Sequence, residues 1–127
     1  MNLVDSSGWL EYFADGPNAG IFAEPIQQLH ELIVPSITIT EVFKRILQQR
    51  DEQAALRAIA HMNQGQIINL DIGLAMKAAK CGFELKLPLA DSIILATATH
   101  YGALLWTQDE DFRHLPNIRY IQKIKQG

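Results

Sequence analysis

Apolar positions along the chain follow two rhythms. Short apolar runs, Met1–Asp5 with Asn2 inside it and a closing acid, Leu32-Ile33-Val34 and Ala103–Trp106, show no regular polar alternation. Runs of that kind read as strands covered on both faces. Gln66–Leu70 and Arg119–Ile121 read as two further short strands. Between them, apolar residues recur every three or four positions, the spacing of a helix with one buried face. Trp9–Ala14 presents Trp9, Leu10 and Phe13, and Ala19–His30 presents Ile21, Phe22, Ile26 and Leu29, with Pro25 predicting a kink or a boundary. Thr38-x-x-Glu41 matches a capping box ahead of a helix that runs to about Arg50. Asp51 to about Asn63 is another helix, and Ile72–Phe83 is one closed near Gly82. Pro88 suits the start of a helix over Leu89–Tyr101. Its centre, Ile93-Ile94-Leu95-Ala96, is apolar nearly all round, which predicts a central buried helix ended by Gly102. Thr107–Pro116 reads as a polar loop.

Strands and helices therefore alternate. That order predicts an α/β fold, a three-layer α/β/α sandwich around a central, mostly parallel sheet. Its 127 residues fit a single domain spanning residues 1–127. In such folds ligands bind beyond the carboxyl ends of the strands.

Composition narrows the function. With 48% hydrophobic and 20% charged residues, the chain is neither disordered nor collagen-like. The lone Cys81 excludes an intramolecular disulfide framework and a multi-cysteine zinc site, and fits a reducing, cytoplasmic setting. No apolar run is long enough for a membrane span, and Asp5 interrupts any signal-peptide pattern. The net charge of −3 gives no bulk attraction to nucleic acid. Any such partner needs a local basic patch or a metal to offset phosphate charge.

The carboxylates fall where a parallel sheet has its site. Asp5 follows the first strand, Glu41 lies in the first turn after the second, and Asp91 lies in the first turn after Pro88. Asp109 and Asp111 follow the strand Ala103–Trp106. Each has a plain structural reading. Glu41 can close its capping box, Asp91 can face a helix dipole, and Asp109 and Asp111 can order a loop. Together they predict a repelling cluster, stable only when protonated, paired with cations or holding a metal. Hard cations such as Mg²⁺ or Mn²⁺ suit oxygen ligands of this kind. Such an ion activates water and offsets charge on a phosphodiester.

Four segments resemble a known family. Leu3-Val4-Asp5-Ser6-Ser7, Pro35 to Glu41, Leu87-Pro88-Leu89-Ala90-Asp91-Ser92 and Leu104 to Phe112 look like the four motifs of PIN-domain nucleases. The VapC-type ribonuclease toxins of toxin–antitoxin modules are the nearest pattern. No single motif is specific, but the ordered set is. The resemblance implies a divalent-metal-dependent endoribonuclease with Asp5, Glu41, Asp91 and Asp109 as catalytic and metal-binding acids. Asp5 and Asp91 would be direct ligands, and Glu41 and Asp109 would complete the site or bind a second ion. Thr107 and Ser6 would orient ligands or water, with Asp111 beside Asp109. It also implies an RNA substrate, a 5′-phosphate and 3′-hydroxyl product, a cognate protein antitoxin and a homodimer. Two competing readings stay open: another α/β phosphoryl-transfer protein, which lacks its expected lysine here, and a non-enzymatic binding domain on a PIN fold.

Lys44 and Arg45 share a helix face with Glu41. One of them pairs with Glu41 or both contact RNA phosphate. Arg50, Arg57, Lys77, Lys80 and Lys86 read as scattered solvated charge rather than a basic rim. His30, His61, His100 and His114 lack metal-ligand spacing and read as surface or helix-end residues. Cys81 reads as a packed thiol. Trp9, Tyr12 and Phe13 read as core, in a region that supports the antitoxin groove in the resembling family.

Overall fold

A computed structural model describes residues 1–125. Five strands form one parallel sheet: β1 (Asn2–Val4), β2 (Leu32–Pro35), β3 (Gln66–Ile68), β4 (Leu104–Thr107) and β5 (Ile118–Tyr120). Their spatial order is β3-β2-β1-β4-β5, with Asn2 of β1 opposite Leu32 on one side and Leu104 on the other. Six helices flank it: α1 (Ser6–Phe13), α2 (Ala19–Gln27), α3 (Ser36–Gln49), α4 (Glu52–Met62), α5 (Ile72–Leu85) and α6 (Leu89–Tyr101).

Successive strand residues face opposite sides, so the core divides into two layers. Val4, Val34 and Trp106 face Trp9 of α1, Phe22 and Ile26 of α2, Val42 and Ile46 of α3, and the alanines of α4. Leu3, Ile33 and Leu105 face Leu74 and Ala78 of α5, Ile93 to Ala98 of α6, and Phe112. This is the expected α/β/α sandwich. Its α6 is buried from Ser92 through Ala98, as the unbroken apolar stretch predicts.

The order of strands fixes the site. From β1 the chain builds outward through β2 and β3, then returns to place β4 and β5 on the other side. Connections leave β1 and β4 towards opposite faces, with Trp9 in one core layer and Phe112 in the other. A crevice opens between the carboxyl ends of two strands that diverge in this way. Asp5 follows β1 and Gln108-Asp109 follow β4, so both segments end in that crevice.

Several boundaries differ from expectation: α1 starts at Ser6 and not Trp9, α2 stops at Gln27 before a 3₁₀ turn over Leu29–Glu31, and three others change the packing. α3 begins at Ser36 with Pro35 as its N-cap, so Thr38 and Glu41 form no capping box, and Glu41 lies in the second turn. Proline fixes an extended-to-helix turn without a side-chain cap. α5 passes through Gly82 and ends only at Leu85, because Lys86 and not the glycine adopts the left-handed conformation. Gly82 is needed for close packing instead: a Cβ there would collide with Ser92 of α6. The loop after β4 is not wholly polar, since a 3₁₀ turn over Glu110–Phe112 buries Phe112 completely and pins the loop to the core.

Candidate metal centre

Asp5 is 2% exposed, a costly place for a charge. It is held there by donors from both sides of the crevice. Its Oδ1 accepts from Ser7 Oγ at 2.6 Å and from the Gly8 amide at 3.1 Å, capping α1. Its Oδ2 accepts from Thr107 Oγ1 at 2.5 Å. The hydroxyl beside Asp5 is therefore that of Ser7. Ser6, the residue singled out in the sequence, stands at the first position of α1 and makes no side-chain hydrogen bond among the described residues. With the helix start drawn at Trp9, nothing distinguished the two serines. With Asp5 as the cap, the second helical residue is the one whose side chain meets it.

Thr107 and Ser7 each relay to the loop after β4. Thr107 Oγ1 accepts from the Asp109 amide at 2.8 Å, and Ser7 Oγ accepts from the Gln108 amide at 2.9 Å. The Gln108 side chain is buried and takes a hydrogen bond from Asn18 Nδ2 at 2.7 Å, which also donates to the Gln122 carbonyl. Sequence reading did not single out Gln108 or Asn18. Their contact joins positions 18 and 108 across the sheet, a separation that no local pattern reports.

Asp109 caps the 3₁₀ turn, its Oδ1 accepting from the Asp111 amide at 2.9 Å. This turn brings Asp109 and Asp111 round to Asp91 in the first turn of α6. One carboxylate oxygen from each of Asp91, Asp109 and Asp111 lies within 4.8 Å of the others. A single hard cation with oxygen ligands at about 2.0–2.6 Å can touch all three.

The electrostatics are those of an uncompensated cluster. Burial lifts the Asp5 carboxyl from 3.8 to about 6, against the lowering effect of its hydrogen bonds, and the charge of Asp109 adds to the rise. Asp91 rises further, from 3.8 to about 8. Burial is the largest cause, followed by the charge of Asp109, a hydrogen bond with Asp109, and the charges of Asp5 and Asp111. Among the described residues the only ion pair is the Met1 amino group with Glu31, so no lysine or arginine neutralises these acids. The donor set fits a divalent oxygen-seeking cation: oxygen only, negative, and without an ionic partner of its own.

Glu41 stands apart from that group. It is not among the carboxylates gathered around Asp91, and its Oε1 is buried without a hydrogen-bond partner. Lys44 and Arg45 are exposed and neither forms an ion pair with Glu41; Arg45 is set to hydrogen-bond with Gln49 instead. Helical spacing permits a pair at three or four residues but does not oblige it, and exposed pairs contribute little.

The remaining chemistry-bearing side chains lie elsewhere. Lys77 Nζ meets His100 Nδ1 at 2.9 Å on the surface. Cys81 is half-buried against the α5–α6 core, a packed thiol as expected. Trp9 is fully buried, while Tyr12 and Phe13 are half-buried. His61, at the end of α4, does more than cap a helix: its ring lies edge-on to Trp9, Tyr12 and Phe13, at 5.5–6.1 Å. Phe13, His61, Leu10 and Ile46 line a groove of about 330 Å³ between α1, α3 and α4, with Arg50 and Arg57 on its walls.

The PIN-domain family pattern matches residues 3–118. This chain belongs to the PIN-domain family. No curated protein matches it in sequence. Among solved structures, a toxin–antitoxin complex from Klebsiella pneumoniae is 27% identical, with a TM-score of 0.79 over 93% of this chain and 95% of that one. VapC20 of Mycobacterium tuberculosis, a toxin that cleaves the sarcin–ricin loop, is 15% identical with a TM-score of 0.78, covering 94% and 98% of the two chains. VapBC2 of Rickettsia felis, solved with a DNA fragment from its promoter, is 13% identical with a TM-score of 0.73 over 94% and 96%.

Proposed function

We propose that this protein is a divalent-metal-dependent endoribonuclease and the toxin of a toxin–antitoxin module. The observation that carries this reading is the convergence of Asp91, Asp109 and Asp111 beside the buried Asp5 in a PIN fold. The toxins among its structural neighbours support the biological setting.

Asp5 and Asp91 would be the direct ligands of Mg²⁺ or Mn²⁺, with Asp109 and Glu41 completing the site and Asp111 beside them. Bound there, the ion supplies a water nucleophile and offsets charge on the phosphodiester. Ser7 and Thr107 hold the Asp5 carboxylate in one orientation, so its lone pairs are aimed before any ligand binds. A carboxylate of the set takes the proton of the attacking water. The water oxygen bonds to phosphorus, the bond to the 3′ oxygen breaks, and that oxygen takes a proton from solvent water while the carboxylate returns its own, leaving a 3′-hydroxyl and a 5′-phosphate. Lys44 and Arg45, exposed and unpaired with any carboxylate among the described residues, are available to RNA phosphates.

The partner is a protein antitoxin. Its apolar segment lies in the groove between α1, α3 and α4, and a basic side chain reaches the acidic centre. The protein is a homodimer. Ile72, Met76 and Phe83 fall on one face of α5 and are 81%, 68% and 86% exposed, an apolar stripe suited to a second copy.

The test is cleavage of a structured RNA, including a sarcin–ricin hairpin, by purified antitoxin-free protein. Cleavage with Mn²⁺ or Mg²⁺, its loss in EDTA, and its loss in folded Asp5→Asn and Asp91→Asn proteins are expected. Undiminished cleavage by either variant would sink the assignment.

A further inference from the structure

Two buried oxygens on α3 have no hydrogen-bond partner: Thr38 Oγ1 and Glu41 Oε1. Thr38 is completely buried. Buried polar groups are rarely left unpaired, and the exceptions cluster at functional sites. The other hydrogen-bonded helical threonines show what is missing. Thr40 Oγ1 bonds back to the Ser36 carbonyl, and Thr97 Oγ1 to that of Ile93, each four residues earlier in its own helix. Four residues before Thr38 lies Val34, which is in β2 and not in the helix. The usual outlet for a helical threonine hydroxyl is therefore absent at this position.

The two orphans complement each other. Thr38 offers an O–H donor and Glu41 a carboxylate acceptor. Residues three apart on a helix are neighbours on one face. Both oxygens are closed to solvent, so neither is satisfied by water. We propose that Thr38 is the positioning residue for Glu41: the two oxygens, unpaired in this structure, join when Glu41 turns to its working position, the hydroxyl donating to Oε1 and orienting the carboxylate at the acidic centre. The inference rests on the metal-dependent reading of that centre and assigns a role to a residue that this reading does not use.

Three variants test it: Thr38→Val, which keeps the shape and removes the hydroxyl, Thr38→Ser, which keeps the hydroxyl, and Glu41→Gln. Each is studied alone, and Thr38→Val is also combined with Glu41→Gln. Mn²⁺ affinity is read by calorimetry and RNA cleavage by kcat and KM. Loss of a hydrogen bond to a charged group predicts about a ten- to hundredfold fall in kcat for Thr38→Val. KM should change little, Mn²⁺ binding should weaken, and Thr38→Ser should restore both. In the Glu41→Gln background, Thr38→Val should cost nothing further, because the acceptor it serves is already impaired. Wild-type behaviour of Thr38→Val in both assays overturns the proposal. So does a loss that is equally large in the Glu41→Gln background, which marks a packing defect. If wild-type protein binds Mn²⁺ but cuts no RNA, the nuclease reading fails, and the calorimetric arm still decides the role of Thr38.

Discussion

Asp91 carries the largest penalty in the acidic centre. Its proton is held to about pH 8 and that of Asp5 to about pH 6, both from 3.8. Between the ordinary and the raised values the folded protein binds more protons than the unfolded chain. These two groups therefore make stability fall as pH rises through that window. Below about pH 4 both states are protonated and the penalty vanishes; above about pH 8 it is complete. Asp91→Asn removes the penalty from one member and relieves its neighbours. The metal-free variant should match wild type below about pH 4 and exceed it increasingly towards pH 8, read as urea midpoints at both. A variant that is less stable than wild type at pH 8 would mean that Asp91 serves only its helix, where losing a first-turn charge costs about 0.3–1 kcal/mol. Thr107→Val makes the opposite case, because it deletes a donor to the buried Asp5. It should destabilise by about 1.5–3 kcal/mol above pH 6, and by less near pH 4, where the carboxyl is neutral. Equal cost at both pH values would show that Thr107 contributes packing alone.

Elements were legible where their signal is local. Continuous apolar runs marked β1, β2 and β4, and the all-round apolar stretch marked α6, because burial on both faces imposes those compositions. Boundaries were less legible where packing overrides the usual punctuation. Gly82 looked like a helix stop, yet it is kept small by Ser92 of the next helix, a contact that appears only once α5 and α6 are folded together. The apparent capping box at Thr38 and Glu41 misplaced the start of α3, and with it the turn that carries Glu41. That Ser7 and not Ser6 meets Asp5 was illegible for a similar reason, since it depends on one residue of helix phase. Gly8 shows the same logic as a prediction. A Cβ there would lie 2.6 Å from Val4 Cγ1 and 2.7 Å from Phe22, so the glycine lets α1 sit against β1 and α2. Gly8→Ala should destabilise by about 1–3 kcal/mol in spite of the better helix propensity of alanine, as overpacked cores do. A stabilised variant, measured by urea unfolding, would show that the interface between α1, β1 and α2 has room to spare.

At the scale of the whole molecule, the order β3-β2-β1-β4-β5 gathers acids that the sequence holds far apart. Their positions after strands were readable from the chain, because a parallel sheet sends every strand's carboxyl end to one side. Their pairing was not: that Asp109 and Asp111 approach Asp91, while Glu41 stays outside their group, depends on the 3₁₀ turn and on the start of α3. The central claim is that the gathered carboxylates form a cation site. Its most direct test is thermal unfolding of wild type and Asp91→Asn, each with EDTA and with Mn²⁺. At about ten times its dissociation constant, the ion should stabilise wild type by about 1.4 kcal/mol. That gain corresponds to a rise in Tm of roughly 3–8 °C for a domain near this size. The account predicts that rise for wild type and little of it for Asp91→Asn. An Asp91→Asn protein that gains the full shift would contradict it.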